Sequence, residues 1–353
     1  MMEAEPPIYP EVLERGAGIE QRSIASSLRV ATPSPAKHPR IEDLEIMLRK
    51  WLLETDILPS QSQEGDASIM ARCAVERYLG QRHVDLIATA WGDARFGPHL
   101  EAAAKWLVIT WVIDDHFDDV WIHTSAEDAS PVISALEDIL AGLHTPGPES
   151  HPLVKAFTSL WDETVTLTDT SWQLRYRRYY TDYLEAALLN LSEFEQPGKV
   201  PSTAEYLNRR DRDGGLLCTA GWIELAYSLR IPDEVFHQPQ VFDLLMRFNH
   251  IICWVNDLYS APVEAMAGSG KNLISCSMAY DNLTRDQAAA RVIELCNAEL
   301  CTFEFLAKSL RDPDWSSDVL AFIQYLTTFT RALIDWTAAS RRYMTAAQTA
   351  NED

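Results

Sequence analysis

Four aspartates, Asp114, Asp115, Asp118 and Asp119, follow directly on the apolar run Trp106–Ile113. On a helix Asp114 and Asp118 are i and i+4, as are Asp115 and Asp119, so each pair shares a side and repels itself unless a cation stands between its members. Carboxylates so arranged suit a hard divalent ion such as Mg²⁺, which takes oxygen ligands and shares them with a bound phosphate. Further along, Asn256, Ser260 and Glu264 stand at i, i+4 and i+8, so that an amide, a hydroxyl and a carboxylate stack on one helix face as a second hard-cation site. The plain alternatives are a solvated acidic helix end for the first group and ordinary exposed polar groups for the second.

Other chemistries lack their residues. None of the nine histidines falls in an HExxH pattern, and the six cysteines form no CxxC, which disfavours zinc and points to reduced core thiols. Gly268-Ser269-Gly270-Lys271-Asn272 lacks the upstream glycine and the Ser/Thr of a phosphate-binding loop. A net charge of −22 leaves no basic footprint for nucleic acid or an anionic bilayer. The longest apolar run, of eight residues, falls well short of the roughly 20 that a membrane span requires. No secretory signal is visible at the start, so a cytoplasmic location is expected.

The elements that carry these residues are helices. Val241, Leu244, Leu245, Phe248, Ile252 and Val255 recur at helical spacing, and the same period marks most of the chain from Ile41 onward, with no alternating strand pattern. Helices are predicted over His99–Val120, Thr203–Asp211, Gly214–Arg230, Phe242–Glu264 and Ser316–Thr345 among about a dozen, with Thr284 and Ser316 available as caps. Six of the 18 prolines lie in the first 40 residues, where no apolar period holds, so residues 1–40 read as a flexible extension and 41–353 as one all-α domain.

The pattern DDxxD at Asp114, Asp115 and Asp118, with NDxxSxxxE at Asn256, Asp257, Ser260 and Glu264, resembles the class I terpene synthases of the microbial type. The resemblance spans about Ile41 to Tyr343 and includes two further motifs. Arg210, Asp213 and Gly214 look like the diphosphate-sensing arginine, linker aspartate and effector glycine of these cyclases, and Trp336-x5-Arg342-Tyr343 is similar to their aromatic wall residue and diphosphate-gripping Arg-Tyr pair. The resemblance implies a single-domain helical bundle around a central active-site cavity. It also implies three Mg²⁺ ions held with diphosphate by Asp114, Asp115, Asp118, Asn256, Ser260 and Glu264, with Trp111 and Trp336 as wall residues. The implied partner is a small prenyl diphosphate, most simply farnesyl diphosphate, cyclised to a sesquiterpene hydrocarbon or alcohol; a homodimer is compatible with this.

Three other readings share some of these features: a diterpene cyclase using geranylgeranyl diphosphate, a prenyl diphosphate chain-elongation enzyme, and a non-catalytic helical metal-binding protein. Chain-elongation enzymes resemble one another in a second DDxxD, where this chain has NDxxS. Two departures from the cyclase pattern stand out. Val263 occupies the place of a basic residue, for which Lys271 is a substitute, and Pro262 is expected to kink the turn that presents Glu264.

Overall fold

The computed structural model describes residues 21–58, 67–143, 145–194, 200–266, 272–311 and 314–343, and among them there are fifteen α-helices and no strand. In chain order these are α1 (Gln21–Ser27), α2 (Ile41–Thr55), α3 (Ala67–Gly80), α4 (His83–Ala90), α5 (Pro98–Asp119), α6 (Ala126–Leu140), α7 (Pro152–Leu167) and α8 (Thr170–Phe194). They continue as α9 (Thr203–Asp213), α10 (Leu216–Tyr227), α11 (Asp233–Phe236), α12 (Pro239–Met266), α13 (Leu273–Tyr280), α14 (Arg285–Ser309) and α15 (Ser317–Ala339). The all-α expectation therefore holds, and Thr284 and Ser316 cap α14 and α15 through their side chains.

Helix α10 is the centre of the bundle because it is buried on every side, from Leu216 through Cys218, Ala220, Trp222 and Ile223 to Ala226. It packs against α5, α8, α12 and α15, which supply the surrounding walls. Helix α5 begins with Pro98 in its first turn, runs through the buried Trp106, Leu107, Ile109, Val112 and Ile113, and ends in the aspartates. That end carries the negative pole of the helix dipole, so the acidic cluster sits where nearby cations are needed most. Helix α12 continues through Pro262 to Met266, so the expected kink does not end it and Glu264 keeps its helical register with Asn256 and Ser260.

Three expectations are corrected. Residues 21–40, assigned to a flexible extension, are packed on the bundle: Ile24 is buried, Arg29 N–H donates to Asn297 Oδ1 at 2.7 Å, Ala31 N–H donates to Glu304 Oε1 at 2.8 Å, and Arg331 donates to Ser34 Oγ at 2.8 Å. Residues 1–20 lie outside the described residues. The helix expected over Ser316–Thr345 ends at Ala339, because Ser340 turns extended and its hydroxyl donates to the Gln81 carbonyl at 2.9 Å. A 3₁₀ turn, Arg341–Tyr343, follows. Finally, Cys73 and Cys301 are exposed, whereas Cys218, Cys253, Cys276 and Cys296 are buried thiols.

Candidate active site

A cavity open to solvent at its mouth lies between α5, α8, α10, α12 and α15. Leu86, Leu107, Trp111, Leu216, Trp222, Ile252, Phe329 and Leu333 give it apolar walls. Asp114, Arg210, Asp213, Asn256, Arg342 and Tyr343 gather at its lining as well, so residues from four separate stretches of sequence meet in one place.

The 3₁₀ turn joins the two acidic motifs. Arg342 donates to Asp115 Oδ1 and, at 3.2 Å, to Asp114 Oδ2, while the next residue, Tyr343, accepts a 2.9 Å hydrogen bond from Asn256 Nδ2. Burial opposes the charge on Arg342, but Asp115 and Asp114 outweigh it and hold the guanidinium pKa well above its ordinary value. The turn is fixed from behind, since Ser340 is tied to Gln81 and the Trp336 indole donates to the Arg82 carbonyl at 2.9 Å.

Arg210 sits near the C-terminal end of α9. One nitrogen of its fork donates to Asp213 Oδ1 at 3.3 Å and another to Asn256 Oδ1 at 3.0 Å, while its buried Nε has no partner among the described residues. Asp213 in turn accepts a 2.6 Å bond from Asn190 Nδ2. Asp257 is buried outside the cavity lining: its Oδ2 accepts from the Tyr206 hydroxyl and from Leu273 N–H at 2.9 Å, binding α9 to the start of α13, while its Oδ1 stands 3.5 Å from the Arg210 guanidinium. Burial raises its pKa to about 6 against the pull of Arg210.

At Gly214 the requirement for glycine is not conformational freedom. Its φ of −64° is ordinary helix; Gly215, at φ +64°, takes the left-handed position that breaks α9 from α10. At Gly214 the constraint is space, because a Cβ there would clash with Cys253 Sγ and stand 3.0 Å from Asn249 Oδ1 and 3.1 Å from the Arg210 carbonyl.

A family model described as terpene synthase family 2, C-terminal metal binding, matches residues 105–301. The chain belongs to this family. It is a class I terpene synthase of the microbial type, a carbon–oxygen lyase acting on phosphates, and it binds divalent metal. It is similar to pristinol synthase of Streptomyces pristinaespiralis, 26% identical over 285 residues that cover 80% of this chain and 73% of that one. It is also similar to a protein of Streptosporangium roseum named 4-epi-cubebol synthase, (2E,6E)-farnesyl diphosphate cyclizing, 23% identical with 91% and 93% covered. The fold matches the crystal structure of linalool/nerolidol synthase from Streptomyces clavuligerus with a TM-score of 0.76 at 22% identity, covering 88% of this chain and 100% of that one.

Within this terpene synthase the expected site residues do not all stand alike. Arg210, Asp213, Asn256 and Tyr343 form one hydrogen-bonded set and Arg342, Asp114 and Asp115 a second, joined through the main chain between Arg342 and Tyr343. Asp118 is exposed. Ser260 Oγ is buried without a partner among the described residues, as a hydroxyl awaiting a cation would be, whereas Glu264 accepts a 2.7 Å bond from Asn272 Nδ2. No group of three His, Cys, Asp or Glu side chains among the described residues forms a ready-made metal site. Oxygen donors split between α5 and α12 fit ions that complete their shells with phosphate oxygens. Lys271, named as a substitute cation, lies outside the described residues.

Trp336 does not reach the cavity lining. It stacks behind Trp111 with ring centroids 4.6 Å apart and planes at 28°, so Trp111 is wall and Trp336 its backing. The sequence reading missed Asn249, whose Nδ2 holds the Arg210 carbonyl at 3.3 Å; it is a polar residue in the apolar stripe of α12, seven positions before Asn256, and that spacing was the available signal. Tyr183, Trp222 and Phe329 in the walls carried no local mark at all. Among the described residues no helix is long and apolar enough to cross a membrane.

Proposed function

We propose that this terpene synthase ionises farnesyl diphosphate with three Mg²⁺ ions and cyclises the resulting allylic cation to a sesquiterpene hydrocarbon or alcohol.

 The observation that carries this reading is the Arg342-Tyr343 turn, which ties Asp114 and Asp115 on α5 to Asn256 on α12 at the mouth of an apolar cavity. The substrate assignment is supported by the relative whose name specifies farnesyl diphosphate.

Departure of diphosphate from an allylic carbon leaves a multiply charged anion and a carbocation, and the site must stabilise both. Asp114, Asp115, Asp118, Asn256 and Ser260 would hold the metal, with Glu264 joining once released from Asn272, and the metal supplies Lewis acidity to the leaving group. Arg210, Arg342 and the Tyr343 hydroxyl donate to phosphate oxygens. Asp213 orients Arg210 beside the Gly214-Gly215 break, so that binding of the anion is coupled to the main chain there. Trp111, Trp222 and Phe329 line the cavity, where aromatic rings would shield the cation from bulk water and tolerate its charge.

Gas chromatography with mass spectrometry of incubations with geranyl, farnesyl and geranylgeranyl diphosphates and Mg²⁺ tests the reading. Cyclic fifteen-carbon products from farnesyl diphosphate are expected. Turnover of geranylgeranyl diphosphate alone would replace the sesquiterpene assignment with a diterpene one, and loss-free activity without divalent metal would overturn the metal roles.

A further inference from the structure

Helix α8 carries an aromatic stripe towards the break between α9 and α10. Tyr176 and Tyr183, at i and i+7, are buried, and the Tyr183 ring lies against the break, where a Cβ on Gly215 would come to 3.3 Å from Tyr183 Cδ2. The stripe continues to i+14, which is Asn190, an amide where an apolar side chain would extend the face.

Asn190 meets Asp213, the last residue of α9. Its Nδ2 donates to Asp213 Oδ2 at 2.6 Å, whereas Arg210 reaches Oδ1 of the same carboxylate at 3.3 Å. The neutral amide makes the shorter bond and the guanidinium the longer one, although charge alone favours the reverse. The carboxylate is thus drawn towards α8, and Arg210, which lines the cavity beside it, is left directed but loosely paired. A second tie between the two helices, Arg212 to Glu185 at 3.0 Å, lies on the exposed side, where such pairs contribute little.

We infer that Asn190 is a positioning residue for the ionisation step: its amide holds Asp213 back from full pairing with Arg210, so that the guanidinium stays available to the leaving diphosphate. The inference rests on the reading of Arg210 as a diphosphate donor and adds to it a residue on another helix. With the amide in place one oxygen of Asp213 belongs to Asn190 and only the other faces Arg210. Without it both oxygens can close on the planar fork as a bidentate pair, which diphosphate must break before Arg210 can donate. As the allylic C–O bond opens, its electron pair leaves with the diphosphate, whose oxygens gain charge. A withheld donor therefore lowers kcat more than it raises KM.

Steady-state kinetics with farnesyl diphosphate and Mg²⁺ test this, with circular dichroism as the check on folding. Alanine removes the amide and favours the helix. In Asn190→Ala, kcat should fall about tenfold or more while KM changes by less than about threefold. Asn190→Asp keeps the shape of the amide but turns a carboxylate on Asp213, so its kcat should lie below that of Asn190→Ala; the opposite order would mean that Asn190 only fills space, and overturns the inference. In an Asp213→Ala background the tie is already cut, so adding Asn190→Ala should change kcat by less than about twofold, and losses that multiply independently overturn the inference. Should Asn190→Ala unfold, Asn190→Asp, which keeps the volume, carries the same comparison. Glu185→Ala, which cuts the exposed tie, should keep the wild-type kcat; a loss equal to that of Asn190→Ala would reduce both to docking of α9 on α8 and overturn the inference. All these outcomes leave the cyclase reading intact. A folded wild-type enzyme that turns over no prenyl diphosphate overturns both.

Discussion

Arg210 donates a 3.0 Å hydrogen bond to Asn256 Oδ1, so a proposed diphosphate donor rests on a proposed metal ligand. Arg342 stands in the same relation to Asp114 and Asp115. In each case the atoms that would bind a cation hold an arginine, and a metal ion arriving at those oxygens weakens the arginine's tie just as an anion arrives to replace it. The two ligands should therefore bind cooperatively.

Isothermal titration of inorganic diphosphate with and without Mg²⁺ reads that cooperativity directly. Affinity should rise by about tenfold or more with the metal, a coupling of about 1.4 kcal/mol or more. Arg210→Lys should lose more in turnover, on the order of 100-fold, than in Mg²⁺ affinity, since a single ammonium cannot reproduce the planar fork. Equal binding of diphosphate in both conditions would break the proposed link.

Asp114→Ala and Asn256→Ala should each abolish most turnover while circular dichroism stays helical. Both remove a proposed ligand, and Asn256→Ala also unties Arg210 and Tyr343. A variant that keeps wild-type rates at limiting Mg²⁺ would show that its side chain holds no metal.

A pH-dependent clamp lies behind the site. His250 on α12 stacks on Trp254, its Nε2 is 3.0 Å from Asp211 Oδ1 on α9, and its Nδ1 is 3.7 Å from Glu299 on α14, where Arg247 also pairs. Burial opposes the charge, but the bonds and charges of Asp211 and Glu299 prevail and push the pKa up to about 9. A pKa raised above its unfolded value gives stability that is complete below about pH 6.5 and is lost as pH rises through about 9. Thermal unfolding across that window should show a loss on the order of 1–2 kcal/mol, solvent screening having reduced it. His250→Gln should flatten the profile.

A chain that begins at Ile41 should be less stable by about 2–4 kcal/mol, because it loses the buried Ile24 and the hydrogen bonds of residues 29–34 to α14 and α15. A chain that begins at Gln21 keeps all of these contacts. Denaturant unfolding of the two truncations separates them, and equal midpoints would mean that the packed segment contributes nothing.

Helical periodicity made the bundle legible, and the i, i+4 spacing of Asp114 and Asn256 with their neighbours marked both acidic faces before any coordinates. What stayed hidden depends on contacts between distant parts of the chain. Residues 21–40 are proline-rich and aperiodic because they are held largely by main-chain bonds to side chains such as Asn297 and Glu304, which leave no pattern in the segment itself. Trp336 carries the right spacing to Arg342 but is displaced from the wall by Trp111, a residue more than two hundred positions away. Asp257 belongs to its motif by sequence, yet it is buried outside the cavity lining, held by Tyr206, the start of α13 and Arg210.

The contact between Gly214 and Cys253 bears on the routes by which this active site can vary. Gly214→Ala alone forces a methyl onto Cys253 Sγ and should cost about 1–3 kcal/mol. Removing the sulfur first, with Cys253→Ala, clears the tightest neighbour and leaves only the 3.0 Å and 3.1 Å approaches of Asn249 and the Arg210 carbonyl. The order of the two changes therefore matters. A lineage that shrinks position 253 first meets a lower barrier to alanine at 214 than one that starts at 214, so the two positions should drift as a pair across relatives although they lie 39 positions apart in the chain.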